Sequence, residues 1–214
     1  VLEAMRRHHA RKIVYSSSAA IFGELESEDI KEEHPFNANS PYGVSKLAAE
    51  KLVLYYSHIH DIDAVCLRYF NIYGDHQRFD AYGNVIPIFA KRLFFQEPII
   101  IYGSGAQTRD FVHVEDVARA NLLAAESSLK AEVINLGTGS VLSILELAHL
   151  MMRLTKRNVP IIHEAFRAGD VMHAKANTTH AENVLKFKAQ FGFEEGLKRY
   201  LTWFEDVALK ELKA

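Results

Sequence analysis

Strand signals and helix signals alternate along this chain, a pattern that globular chains satisfy with a parallel sheet flanked by helices. VLEAMRRHH opens as an amphipathic helix with Val1, Leu2 and Met5 on its apolar side, and Ile13 to Tyr15 follow as a short strand. Ser40 is placed to cap a helix starting at Pro41, where a proline loses no backbone hydrogen bond. Val44, Leu47, Ala48, Leu52, Tyr55 and Ile59 recur three or four residues apart, so this helix is expected to bury them as one face. DAVCLRYF (63 to 70) reads as a strand, 85 to 96 as a helix and IIIY (99 to 102) as a strand. The helix expected over 114 to 127 opens with Glu115 and Asp116, acids suited to its positive end. EVINLG is a further strand, and FEEGLKRYLTWFEDVAL a last amphipathic helix. Ser143 with Glu146, and Thr179 with Glu182, carry the reciprocal capping signature of helix starts. The fold expected is α/β with a parallel sheet.

Composition removes several classes of function. At 214 residues and 49% hydrophobic, the chain can bury a real core. A net charge of −2 leaves no electrostatic footprint for nucleic acid or an anionic membrane surface. Cys66 is the single cysteine, which excludes an internal disulfide and a cysteine metal cluster. No apolar run nears the ~20 residues that cross a bilayer, and no signal peptide is visible. A cytoplasmic globular protein is expected. His58 and His60 lack a third ligand in a recognisable frame, so no metal site is expected. Arg6, Arg7, Arg11 and Lys12 read as a solvated helix face.

The chemistry-bearing residues gather where such a sheet binds ligands, beyond the carboxyl ends of its strands. Ser16, Ser17 and Ser18 follow one strand, and Tyr69, Phe70 and Asn71 end the next. Between them, Tyr42 and Lys46 stand at i and i+4 within SPYGVSK and project from one helix face. A free tyrosine, with a pKa of about 10, is a poor base at neutral pH. An ammonium one turn away, or a cationic cofactor ring, favours the phenolate. A serine hydroxyl could then share the hydrogen bond to a substrate oxygen. This pattern is general base chemistry on an alcohol. Tyr-x-x-x-Lys alone is a weak motif; its specificity comes from the order YSSSAAIFG, SPYGVSK, RYFNIYG.

Together with IYGSGAQTRDFVHVEDVA, INLGTG and RAGD, these segments resemble the extended short-chain dehydrogenases/reductases. Among them, the chain is most similar to the nucleotide-sugar epimerases typified by UDP-glucose 4-epimerase, over nearly its whole length. The resemblance implies the C-terminal part of a Rossmann-type parallel sheet plus a smaller α/β substrate-binding domain. Residues 1–74 would belong to the NAD-binding domain and 75–214 to the nucleotide-sugar-binding domain, with 110–127 crossing back onto the Rossmann sheet. It further implies Ser18, Tyr42 and Lys46 as the catalytic set, with Tyr42 and Lys46 also at the nicotinamide ribose of NAD. Ser16 and Tyr69 would line the nicotinamide pocket, and Asn71 would touch the sugar diphosphate. Arg109, Arg167 and Asp170 would bind the diphosphate and the nucleoside ribose, while Ile100 and Tyr102 would flank the base. A guanidinium suits a diphosphate, and a carboxylate accepts from ribose hydroxyls. Ala174, four residues beyond Asp170, would border the sugar near carbon 2.

Two departures refine that expectation. The family opens with a strand and a glycine-rich turn that hold the cofactor pyrophosphate, and INLGTG corresponds to a later segment. The expectation is therefore a chain lacking roughly 90 residues of its NAD-binding domain, at ~30 residues per βαβ unit, and inactive by itself. Relatives that dehydrate or decarboxylate nucleotide sugars carry an Asp-Glu pair or a Glu directly after the motif serine or threonine. Here those positions are Ala19 and Ala20, which disfavours elimination. The activity implied is NAD-dependent epimerisation of a UDP-sugar at carbon 4 through a transient 4-keto sugar. The alternatives are another dehydratase or reductase of the superfamily, or a non-catalytic nucleotide-sugar- or NAD-binding fragment. Relatives commonly pair as homodimers through helices like 41 to 59, so a full-length homodimer is expected, with no nucleic-acid or membrane partner.

Overall fold

In a computed structural model of the chain, the residues described are 1–23, 29–78, 84–166 and 171–213. The chain runs through α1 (Leu2–Arg7), β1 (Lys12–Ser18), β2 (Asp29–Ile30), α2 (Pro41–Ile59), β3 (Asp63–Tyr69), β4 (Asn71–Tyr73) and α3 (Val85–Phe94). It continues through β5 (Ile99–Tyr102), β6 (Thr108–Arg109), β7 (Phe111–His113), α4 (Val114–Glu126), β8 (Glu132–Leu136) and β9 (Leu142–Ser143). Last come α5 (Ile144–Thr155), β10 (Ile161–Glu164), β11 (His173–Ala176), α6 (Thr179–Leu185), α7 (Phe193–Trp203) and α8 (Leu209–Lys213).

Strands β1, β3 and β8 form a parallel sheet in that order. Its central strand alternates between two covered faces, as a strand buried on both sides must. Val65 and Leu67 pack with Ile134 and Leu136 against Val117, Ala120 and Ala124 of α4. Ala64 and Cys66 turn the other way and meet Val53 of α2. Complete burial of a side chain such as Leu67 contributes about 2 kcal/mol. β4 extends from the end of β3 and pairs in parallel with β7.

The remaining strands form a four-stranded sheet in the order β2-β11-β6-β9 and a parallel pair of β5 with β10. Around them α3, α5 and α7 bury a second core containing Phe89, Leu93, Leu147, Met151, Leu197 and Phe204. Ser143 closes the expected capping box at α5: its Oγ accepts from Glu146 N at 3.1 Å while Glu146 accepts from Ser143 N at 2.9 Å. Among the described residues, no helix is long and apolar enough to cross a membrane.

Four local expectations are corrected. The first strand does not stop at Tyr15 but carries all three serines, because its ladder with β3 continues to Ser18 opposite Tyr69. Helix α2 has the expected limits, with Ser40 Oγ accepting from Gly43 N at 3.0 Å, yet it turns the other side inward. Gly43, Glu50 and Val53 are its buried residues; Val44, Ala48, Leu52, Tyr55 and Ile59 are exposed and Leu47 is half-buried. Gly43 sets that face, since a Cβ there would lie 2.5 Å from the Ala20 carbonyl oxygen. Near the C-terminus Thr178, not Thr179, precedes the helix, and Thr178 Oγ1 donates to Glu182 at 3.0 Å. The final helix is interrupted by a π-helical turn over Phe204–Ala208.

Candidate active site

The close seat of Gly43 on Ala20 brings the first turn of α2 beside the end of β1. Ser18 caps the short turn that follows, its Oγ accepting from Ala20 N at 3.2 Å, which leaves its own proton to donate. Tyr42, one residue before Gly43, is 55% exposed; its carbonyl accepts from Ser45 Oγ at 2.8 Å, and its phenol makes no hydrogen bond to the described residues. Lys46 lies one turn further along α2, with Nζ 5.7 Å from the Tyr42 ring centroid and donating to Ser16 O at 2.8 Å.

A second chain of hydrogen bonds orients Tyr69. Asn121 on α4 donates through Nδ2 to Val117 O at 2.8 Å, so its Oδ1 is the acceptor for Tyr69 OH at 2.9 Å. The phenol proton is thereby assigned, and Ser16 Oγ donates to Tyr69 OH at 3.1 Å.

These groups border a cavity of about 720 Å³ whose walls include Ser18, Tyr42, Tyr69, Asn71, Arg109 and Ala174. Arg109 and Ala174 arrive as register partners across β6 and β11, so the four-stranded sheet supplies that wall. Asn71 Nδ2 donates to Asp110 O at 3.0 Å. Among the described lining residues, Arg109 is the only formal charge, and Ala19 and Ala20 present methyl groups after Ser18. Ser16 and Lys46 stand behind this wall, tied to it through Tyr69 and Tyr42. Ile100 and Tyr102 are not brought to it; they sit on β5 opposite Ile162 and Glu164 of β10. Arg167 and Asp170 lie outside the described residues.

Comparison with known proteins gives this geometry its family. Residues 1–137 match the family described as NAD dependent epimerase/dehydratase. The chain belongs to that family. A UDP-glucuronate 4-epimerase of Thermodesulfobacterium geofontis is 32% identical over 210 residues, covering 96% of this chain and 63% of the relative. The chain thus spans less than two thirds of that epimerase. Among solved structures, a UDP-N-acetylglucosamine 4-epimerase from Methanobrevibacter ruminantium, in complex with UDP-N-acetylmuramic acid, superposes with a TM-score of 0.91. It is 32% identical, with 95% of this chain and 66% of the other covered. The Thermus thermophilus UDP-glucose 4-epimerase in complex with NAD gives a TM-score of 0.88 at 30% identity, with 96% and 68% covered.

Two buried polar groups of this epimerase-family chain escaped the sequence reading. Asp110 is fully buried, and its carboxylate accepts from Thr138 N (2.8 Å), Thr138 Oγ1 (2.7 Å), Gly139 N (2.9 Å) and Ala176 N (3.1 Å). Burial pushes this carboxyl up, and the bonds from Thr138, Ala176 and Gly139 hold it back. The Thr138 and Gly139 amides of the Gly-Thr-Gly turn are therefore spent on the protein's own anion. Gly137 is required there, because a Cβ would come within 2.8 Å of Asp110 Oδ2. The second group is Glu50 with Arg68, visible in sequence only as an acid prolonging the Tyr42–Lys46 spacing by one more turn.

Proposed function

We propose that this chain carries the catalytic residues and the sugar pocket of an NAD-dependent UDP-sugar 4-epimerase. The observation behind this reading is one cavity that, among the described residues, unites the exposed Tyr42 phenol, a serine with a proton to donate and Arg109, with alanines directly after the serine. The Tyr42 phenolate removes the proton of the carbon-4 hydroxyl while Ser18 donates to the same oxygen. NAD, when bound, supplies the acceptor and later the donor of the carbon-4 hydride. Arg109 and Asn71 hold the diphosphate, so the 4-keto sugar can turn about that linkage and offer its other face. Tyr42 then returns the proton. Methyl groups at Ala19 and Ala20 provide nothing to protonate a leaving hydroxyl, which favours epimerisation over elimination.

The residues present fit one end of the cofactor. Lys46 uses one of its three N–H donors on Ser16 and has two further for ribose hydroxyls, beside the exposed Tyr42. The Gly-Thr-Gly turn does not fit the pyrophosphate, since Asp110 already occupies its amides. That end of the cofactor is left to residues outside those described, and the isolated chain is inactive. The outward apolar side of α2 serves as the contact with a second copy in a homodimer.

The test is Tyr42→Phe in the full-length gene product. Interconversion of UDP-glucose and UDP-galactose should fall by at least ~100-fold, the scale of a lost general base. Calorimetric binding of the nucleotide sugar should persist. Near-normal turnover in this variant would remove Tyr42 from the chemistry.

A further inference from the structure

Beneath the cavity floor lies an ion pair that the reaction does not touch. Glu50 is 0% exposed, Arg68 2% and Ser17 1%. Arg68 grips the carboxylate with two prongs, Nη2 to Oε1 at 2.7 Å and Nε to Oε2 at 3.1 Å. Ser17 Oγ donates to the same Oε2 at 2.6 Å. The third prong of Arg68, Nη1, donates to Glu32 O at 2.7 Å, and the guanidinium lies 5.3 Å from the Phe22 ring and 5.0 Å from that of Phe36.

The location of these residues gives the cluster its meaning. Glu50 is one turn beyond Lys46 and two beyond Tyr42 on α2. Ser17 and Arg68 are register partners on β1 and β3, one step before the pair Ser18 and Tyr69. Strand alternation sends Ser17 to α2 and its neighbours Ser16 and Ser18 the opposite way. On the α2 side itself, Lys46 Nζ passes over the Tyr15 ring and donates to the Ser16 carbonyl. The helix carrying Tyr42 is thus fixed to the serine strand at two points one turn apart, through the Ser17 side chain and through the Ser16 backbone.

Stability alone is a poor account of such a pair, because apolar side chains of similar volume often hold a core as well or better. A bidentate fork does what apolar packing does not: it fixes direction and distance. We infer that Ser17, Glu50 and Arg68 form a positioning clamp that sets Tyr42 and Lys46 on α2 against Ser18 at the end of β1. This inference rests on the reading of Tyr42 as the base.

The decisive variant is Ser17→Ala in the full-length gene product, which removes one hydroxyl and leaves the ion pair in place. With the clamp loosened, kcat should fall about tenfold or more while KM for the nucleotide sugar stays within about twofold, because small misplacements act on the reacting geometry. The acidic limb of the kcat profile should move to higher pH. A second readout needs no turnover: the ultraviolet phenolate signal of Tyr42, isolated by subtracting the matching Tyr42→Phe protein, should appear at higher pH in Ser17→Ala. Glu50→Gln should show the same displacements, larger in size, in whatever fraction folds. Unchanged kcat, pH profile and phenolate signal in Ser17→Ala, even with a lowered melting temperature, would reduce the cluster to a structural role and overturn the clamp. If Tyr42→Phe is inactive in the same experiment, that outcome leaves the base assignment standing. If Tyr42→Phe is active, the base assignment and the clamp fall together.

Discussion

Ala174 faces the cavity with a single methyl group, opposite Arg109 on the neighbouring strand. On the proposed reading Ala174 borders sugar carbon 2, and a tyrosine there would fill the volume that an acetamido group requires. The full-length protein should therefore turn over UDP-N-acetylglucosamine at least as well as UDP-glucose. Ala174→Tyr should cost the acetylated sugar roughly five- to 150-fold in kcat/KM, from an overpacking penalty of about 1–3 kcal/mol, and spare UDP-glucose. Steady-state rates for both sugars check this; a wild type that refuses the acetylated sugar, or a variant with unchanged preference, contradicts it. At this scale the gathering of Ser18, Tyr42 and Ala174 at one cavity was readable, because a few neighbours in sequence define the motifs that carry them. Glu50 and Arg68 were not. Charged side chains on a helix and a strand read as solvated, and only tertiary packing shows that each is the other's partner. Asp110 was hidden for the same reason, since its donors come from residues 138, 139 and 176.

Among the elements, α2 shows both what periodicity reveals and where it stops. Ser40, Pro41 and the spacing of apolar residues fixed its limits, because capping and periodicity are local. They misassigned its inward face, because an apolar stripe says that something covers it and not what. The turn after β1 takes Gly43 and the sheet takes Glu50 and Val53, while Leu52 and Tyr55 remain 55% and 59% exposed. Strand β1 was cut short for a related reason: serines are poor strand formers on their own, and it is the ladder with β3 that carries them. If the outward stripe of α2 joins two copies, the full-length protein should sediment as a dimer at micromolar concentration. Leu52→Glu with Tyr55→Glu should then sediment as a monomer, since two buried carboxylates cannot be matched across the contact. A monomeric wild type, or a variant that still pairs, would assign that stripe no role in assembly.

Across the whole molecule, two separately packed regions meet at one cavity. The β1–β3–β8 sheet and α2 bring the phenol, the ammonium and the serines, and the sheet containing β6 and β11 brings Arg109 and the Ala174 methyl. β1 is an edge of its sheet among the described residues, and the chain spans 63% of a curated relative's length. The alternation of strands and helices made the α/β class plain from sequence. Which strands pair was not, because β2 with β11 and β6 with β9 join segments far apart in the chain. In the proposed reaction, carbon 4 is oxidised and then reduced on the opposite face within one bound molecule. The test is UDP-glucose deuterated at carbon 4, incubated with the full-length protein and NAD and followed by NMR. The expected product is UDP-galactose that retains the deuterium at carbon 4. Loss of the label to water, or a dehydrated sugar in place of the carbon-4 epimer, would contradict it.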